Sequence, residues 1–111
     1  MGDPDGNVEL TFRALAARRR RIALRSLQTH RRISLADLAE LVLERETESD
    51  IVDLQPEEIR DVYFSLYHKH IPLLEEAGLA SYEQEEDLVS ITESTDSVLF
   101  GARDAVDSLI R

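Results

Sequence analysis

From Val8 onward, apolar residues recur at helical spacing, pause, and recur again, and each pause carries its own start or stop signal. Leu10, Ala14 and Leu15, then Ala23, Leu24 and Leu27, follow steps of three and four, so a first helix is expected over Val8 to about His30, with a break near Ala17. Arg31 to Ile33 then predicts a short extended segment. Ser34 has the chemistry of an N-cap, since its hydroxyl can accept an orphan amide, and Asp37 completes a weak capping box. Leu35, Leu38, Ala39, Leu41, Val42 and Leu43 make the buried stripe of the helix that follows. Glu48 to Gln55 is too acidic to pack and is expected to be an exposed linker.

Pro56 suits a first helical turn, where its missing amide hydrogen costs nothing, and Glu57 and Glu58 suit the positive end of the helix dipole. Ile59, Val62, Tyr63, Leu66, His70, Leu73, Leu74 and Ala77 keep a 3.6 period, while Arg60, Phe64, Tyr67, His68 and Lys69 project elsewhere. Pro72 cannot donate to the carbonyl of His68, which predicts a kink or break near Ile71. Gly78 is placed to end the helix in a left-handed conformation, with Leu79 folding back over its last turn. Leu79 to Tyr82 and Leu88 to Ile91 have strand character and flank the acidic run Glu83 to Asp87, the pattern of a hairpin. A final helix is expected after Thr92 to Asp96, with Val98, Leu99, Ala102, Ala105, Val106, Leu109 and Ile110 on one face.

The order is helix, short strand, helix, helix, hairpin, helix. It predicts a mainly helical winged helix-turn-helix, with the hairpin as wing and Pro56 to about His70 as recognition helix. A helical bundle carrying a hairpin is the alternative. The expected divisions are a disordered leader at 1–7, the domain at 8–93, and at 94–111 a C-terminal helix suited to dimerisation.

Charge changes this picture more than composition does. At 111 residues the chain can bury one core, which six aromatics and no tryptophan leave mostly to aliphatic side chains. There is no cysteine, hence no disulfide and no thiolate chemistry. No run approaches the roughly 20 apolar residues of a membrane span, and the polar start is unlike a signal peptide, so a cytoplasmic protein is expected. Twenty-three acids against thirteen bases, with Lys69 the one lysine, give −10. Such a surface is suited to molar salt, where the Debye length is about 3 Å and self-repulsion is weak. An acidic protein of an ordinary cytoplasm shares the composition. The bases are concentrated: Val8 to Ile33 holds eight arginines against Glu9.

The segments Arg19 to Leu27, Ile33 to Ala39 and Val62 to Gly78, the last containing Tyr67-His68-Lys69-His70-Ile71-Pro72, resemble a haloarchaeal winged-helix domain family of largely uncharacterised function. The resemblance covers about Leu10 to Ile91, and implies the winged-helix fold and a transcriptional context. Many members have Pro where this chain has Ala17, and the final helix lies outside the match.

The candidate DNA contacts are Arg18, Arg19, Arg20, Arg21 and Arg25 for phosphates, with Arg60, Ser65, Tyr67, His68 and Lys69 for a major groove. Consecutive arginines on a helix point several ways, so about three share a face. The same arginines suit pairing with the chain's own carboxylates, and Phe64 and Tyr67 suit half-buried packing. Glu57, Glu58, Asp61 and the acidic hairpin tip oppose phosphate. His68 and His70 point about 200° apart on a helix, so no metal is expected. No phosphate loop, nucleophile elbow or cofactor signature is present, so neither an enzyme nor a cofactor is expected.

The function expected from the sequence is a DNA-binding transcriptional regulator of a salt-adapted cytoplasm. It would bind double-stranded DNA as a homodimer through Val98, Leu99, Ala102, Ala105, Val106 and Leu109. Packing of that final helix within its own domain is the competing expectation. The alternative function is a winged-helix adaptor that binds protein and leaves DNA alone.

Overall fold

The computed structural model describes residues 4–48, 53–93 and 95. Helices α1 (Pro4–Leu15) and α2 (Arg18–His30) are followed by strand β1 (Arg32–Ser34) and helix α3 (Leu35–Thr47). Helix α4 (Pro56–Ser65) runs into a π-helical turn (Leu66–His70) and helix α5 (Ile71–Glu76), then into strands β2 (Ala80–Glu83) and β3 (Leu88–Ile91). The expected C-terminal helix, with Val98 to Leu109, lies outside the described residues.

Local chemistry explains most boundaries. Helix α1 begins at Pro4 rather than Val8, so the leader expected at 1–7 is helical from Pro4, with the proline in a first turn where no amide donor is needed. The break near Ala17 is present: Ala17 is the extended N-cap of α2. Ser34 caps α3, its Oγ accepting from Asp37 N at 3.0 Å. Gly78, at φ 75°, closes α5 in a Schellman arrangement: Gly78 N donates to the Glu75 carbonyl and Leu79 N to the Leu74 carbonyl, both at 2.9 Å. Leu74 and Leu79 are both buried, completing that motif's apolar contact.

Of the kink or break expected near Ile71, no break occurs: the helix continues through the π-helical turn. Backbone angles remain helical through His70 and Ile71, and Ile71 N donates to the Leu66 carbonyl in place of the normal α-helical acceptor. The wider turn accommodates Pro72 and shifts the phase by a residue, so that Ile71 joins Leu66 and His70 on the buried side.

Three antiparallel strands form one sheet in the order β1-β3-β2. Ile33 pairs with Val89 and Val89 with Tyr82, a row turned toward the core, while Arg32, Ser90 and Ser81 form the adjacent row. The core lies where α2, α3 and the α4–α5 segment meet this sheet. Leu24 and Leu27, Leu35, Leu38 and Val42, then Val62, Leu66, Ile71 and Leu74 are its main contributors, with Val89 from the sheet. Each such side chain contributes about 1.5–3 kcal/mol through burial. Leu41, expected in the α3 stripe, is only partly buried. The protein is thus mainly helical with a small antiparallel sheet, and α3 packs closely against α4.

Candidate nucleic-acid interface

The arginine run at the start of α2 divides by direction. Arg20 points inward and is 6% exposed; Nε donates to the Ala14 carbonyl and Nη2 to the Arg13 carbonyl, both at 2.8 Å, and Nη1 meets His70 Nδ1 at 3.0 Å. Arg21 donates to the Leu15 carbonyl at 2.8 Å. These carbonyls lie in the last turn of α1, where that of Arg13 also accepts from a backbone amide, Ala16 N at 3.3 Å, so the arginines after the break secure its C-terminus. Arg20 was expected to contact phosphate; its burial against α1 corrects that assignment. Arg19 forms a bidentate pair with Glu46, both bonds at 2.8 Å, and its Nη1 donates to Ser65 Oγ at 3.0 Å. Arg19 and Ser65, both expected at DNA, therefore join α2, α3 and α4 to each other.

Arg18, Arg21 and Arg25 remain on the exposed side of α2, three to four residues apart. With Ile22 they face Glu44, Arg45 and Glu48 of the α3 end across an open cleft. Arg45 was missed by sequence reasoning. Its one signal was isolation, as the single base between Ser34 and Gln55.

On α4 and the π turn, Arg60, His68 and Lys69 are exposed, and Arg60 and Lys69 make no ion pair among the described residues. Phe64 is 49% exposed and stacks on His68, ring centres 6.0 Å apart. Tyr67 is half-buried: it packs edge-on against Tyr82 at 5.9 Å, and its hydroxyl accepts from Gln84 Nε2 at 3.1 Å. This matches the packing role weighed against groove contact. Glu57, Glu58 and Asp61 are exposed at the start of α4.

The acidic hairpin tip is less bare than its sequence. Arg32 Nη2 lies 3.2 Å from Glu86 and 3.8 Å from Glu83. Asp87, at φ 53°, accepts from the hydroxyls of Tyr63 and Tyr82 through Oδ1, while its carbonyl accepts from Leu35 N at 2.8 Å. Asp87 thereby ties the hairpin to α3 and α4. Burial, followed by the Asp87 hydrogen bond, raises both tyrosine pKa values, keeping the hydroxyls as donors. Glu75 accepts from Tyr82 N at 3.2 Å and so covers part of the β2 edge.

His70 is buried and its pKa is lowered to about 4, first by desolvation and then by the Arg20 and Arg19 charges. The neutral ring therefore accepts from the Arg20 guanidinium. Desolvation, then the neighbouring Arg13 charge, lowers the Arg20 pKa, but a guanidinium stays charged. Among the described residues no group of three or more His, Asp or Glu is arranged to hold a metal ion, and no helix is long and apolar enough to cross a membrane.

No curated protein matches the chain, and no solved structure does. One family model matches, over residues 12–90, from the C-terminal half of α1 to the last strand; the chain belongs to that family, the domain of unknown function (DUF7344).

Proposed function

We propose that this protein is a winged-helix DNA-binding transcriptional regulator of a salt-rich cytoplasm, acting as a homodimer. The observation that carries the reading is the packing of α4 on α3 beside a β2–β3 hairpin, with Arg60, His68 and Lys69 exposed on the α4 and π-turn segment. In this reading α4 is the recognition helix. Its acidic first turn keeps it off the phosphates, and base contact falls to Arg60, whose guanidinium suits guanine O6 and N7. Pairing of Glu83 and Glu86 with Arg32 lowers the repulsion a wing would otherwise bring. In molar salt, counterion release contributes little, so affinity rests on base and shape contacts.

Selection from random duplexes in about 1 M KCl tests this. A motif should be enriched whose binding falls on Arg60→Ala; no enrichment, or indifference to that change, overturns it. A second reading, a protein-binding adaptor, is favoured by the exposure of Phe64 beside the acidic turn. It predicts that Phe64→Ala removes a stoichiometric partner from a high-salt lysate. The same substitution would leave duplex binding intact.

A further inference from the structure

The cleft between α2 and α3 is rich in arginine. Arg18, Arg21 and Arg25 line one wall and Arg45 approaches from the other, around a volume of about 610 Å³. Glu44 and Glu48 stand in the same cleft, yet none of the four arginines forms an ion pair among the described residues. The neighbouring Arg19, by contrast, is fully engaged with Glu46. Four like charges gathered in one concavity repel one another, and two glutamates leave the lining with an excess of two positive charges. An anion carrying several charges would relieve that repulsion.

The geometry sets the class of anion. Arg18 and Arg25 are seven residues apart, or about 10 Å along the helix. That is the length of a chain of linked phosphates, and planar guanidiniums bind phosphate oxygens in pairs. Arg21 is held in place by the Leu15 carbonyl, so part of the lining is ordered before any ligand arrives. Ile22 supplies an apolar patch in the same lining. We infer that this cleft is a polyphosphate-binding site, taking either a free nucleotide polyphosphate or successive phosphates of a nucleic-acid backbone. The inference goes beyond base reading by α4 and holds with or without it.

The test uses the full chain, at the lowest KCl concentration at which circular dichroism shows it folded. Inorganic tripolyphosphate and ATP are titrated by calorimetry, and a random-sequence duplex by fluorescence anisotropy. The variants are Arg25→Ala, Arg45→Ala, Arg45→Lys and, as a control outside the cleft, Arg60→Ala. The first two should raise the apparent Kd about tenfold for whichever probe binds, as expected for a lost charge-assisted hydrogen bond. Arg45→Lys should recover part of the loss, and Arg60→Ala should leave tripolyphosphate binding unchanged. Binding of tripolyphosphate and ATP identifies a small-molecule site, whereas binding of the duplex alone identifies a backbone contact. If no probe binds, or if folded Arg25→Ala and Arg45→Ala bind as tightly as the parent, the inference is overturned. Loss of motif selection by Arg60→Ala with tripolyphosphate binding intact would separate this site from the function proposed for α4.

Discussion

Replacing His70 by glutamine should change how stability depends on pH while leaving the Arg20 contact possible. His70 is buried, and its Nδ1 meets Arg20 Nη1 at 3.0 Å, an arrangement that requires a neutral ring. Its pKa is about 4 in the folded protein against an ordinary 6.5. Above pH 6.5 the ring is neutral in both folded and unfolded chains, so the full contribution is present. As pH falls from 6.5 toward 4, the unfolded chain takes up the proton first, and stability is lost across that window. At about 1.36 kcal/mol per pH unit, the interval corresponds to about 3.4 kcal/mol for a fully dry site. Residual solvation of the imidazole and screening reduce this to about 2 kcal/mol. Urea unfolding of the parent and His70→Gln, in the same salt from pH 7.5 to 4.5, measures the difference. Carboxylates titrate alike in both chains, so the gap between the curves belongs to His70. The parent should lose about 1–2 kcal/mol more than the variant by pH 4.5, and parallel curves would refute a buried neutral His70.

Arg20→Ala should destabilise the fold by about 3 kcal/mol in urea unfolding, because the Ala14 carbonyl and His70 lose their side-chain donor and the Arg13 carbonyl is left with Ala16 N alone. Arg25→Ala, at an exposed position, should stay within about 0.5 kcal/mol of the parent in the same assay. Gly78→Ala should cost about 1 kcal/mol by thermal unfolding: nothing lies within 4 Å of an added Cβ, so the cost comes from φ 75° alone. Asp87→Ala should cost about 2 kcal/mol and speed amide exchange in β2 and β3, since the hydroxyls of Tyr63 and Tyr82 lose a shared acceptor.

What was legible in the sequence depended on how locally it is encoded. Ser34, Gly78 and the break before Arg18 could be read because a cap or stop acts on amides and carbonyls within a turn of itself. The apolar periods located most of the core for the same reason. The π turn was not legible: Pro72 shows that one hydrogen bond is missing, but kinking and widening answer that loss equally well. The arginine run was misread at Arg20 because its role depends on where α1 folds back, which is set by tertiary packing. Arg19 and Ser65 lie 46 residues apart, so nothing near either one announces that they meet. The acidic tip shows the same limit, since Arg32 and Tyr63 approach it from other elements.

Base reading by α4 would depend on Arg60. Fluorescence anisotropy with a duplex enriched from the random selection, in about 1 M KCl, tests it most directly. The parent should prefer this duplex over a scrambled one, and Arg60→Ala should lose about tenfold or more in affinity together with discrimination at one guanine position. Equal binding of enriched and scrambled duplexes by the parent, or an Arg60→Ala protein that binds and discriminates as the parent does, would contradict it.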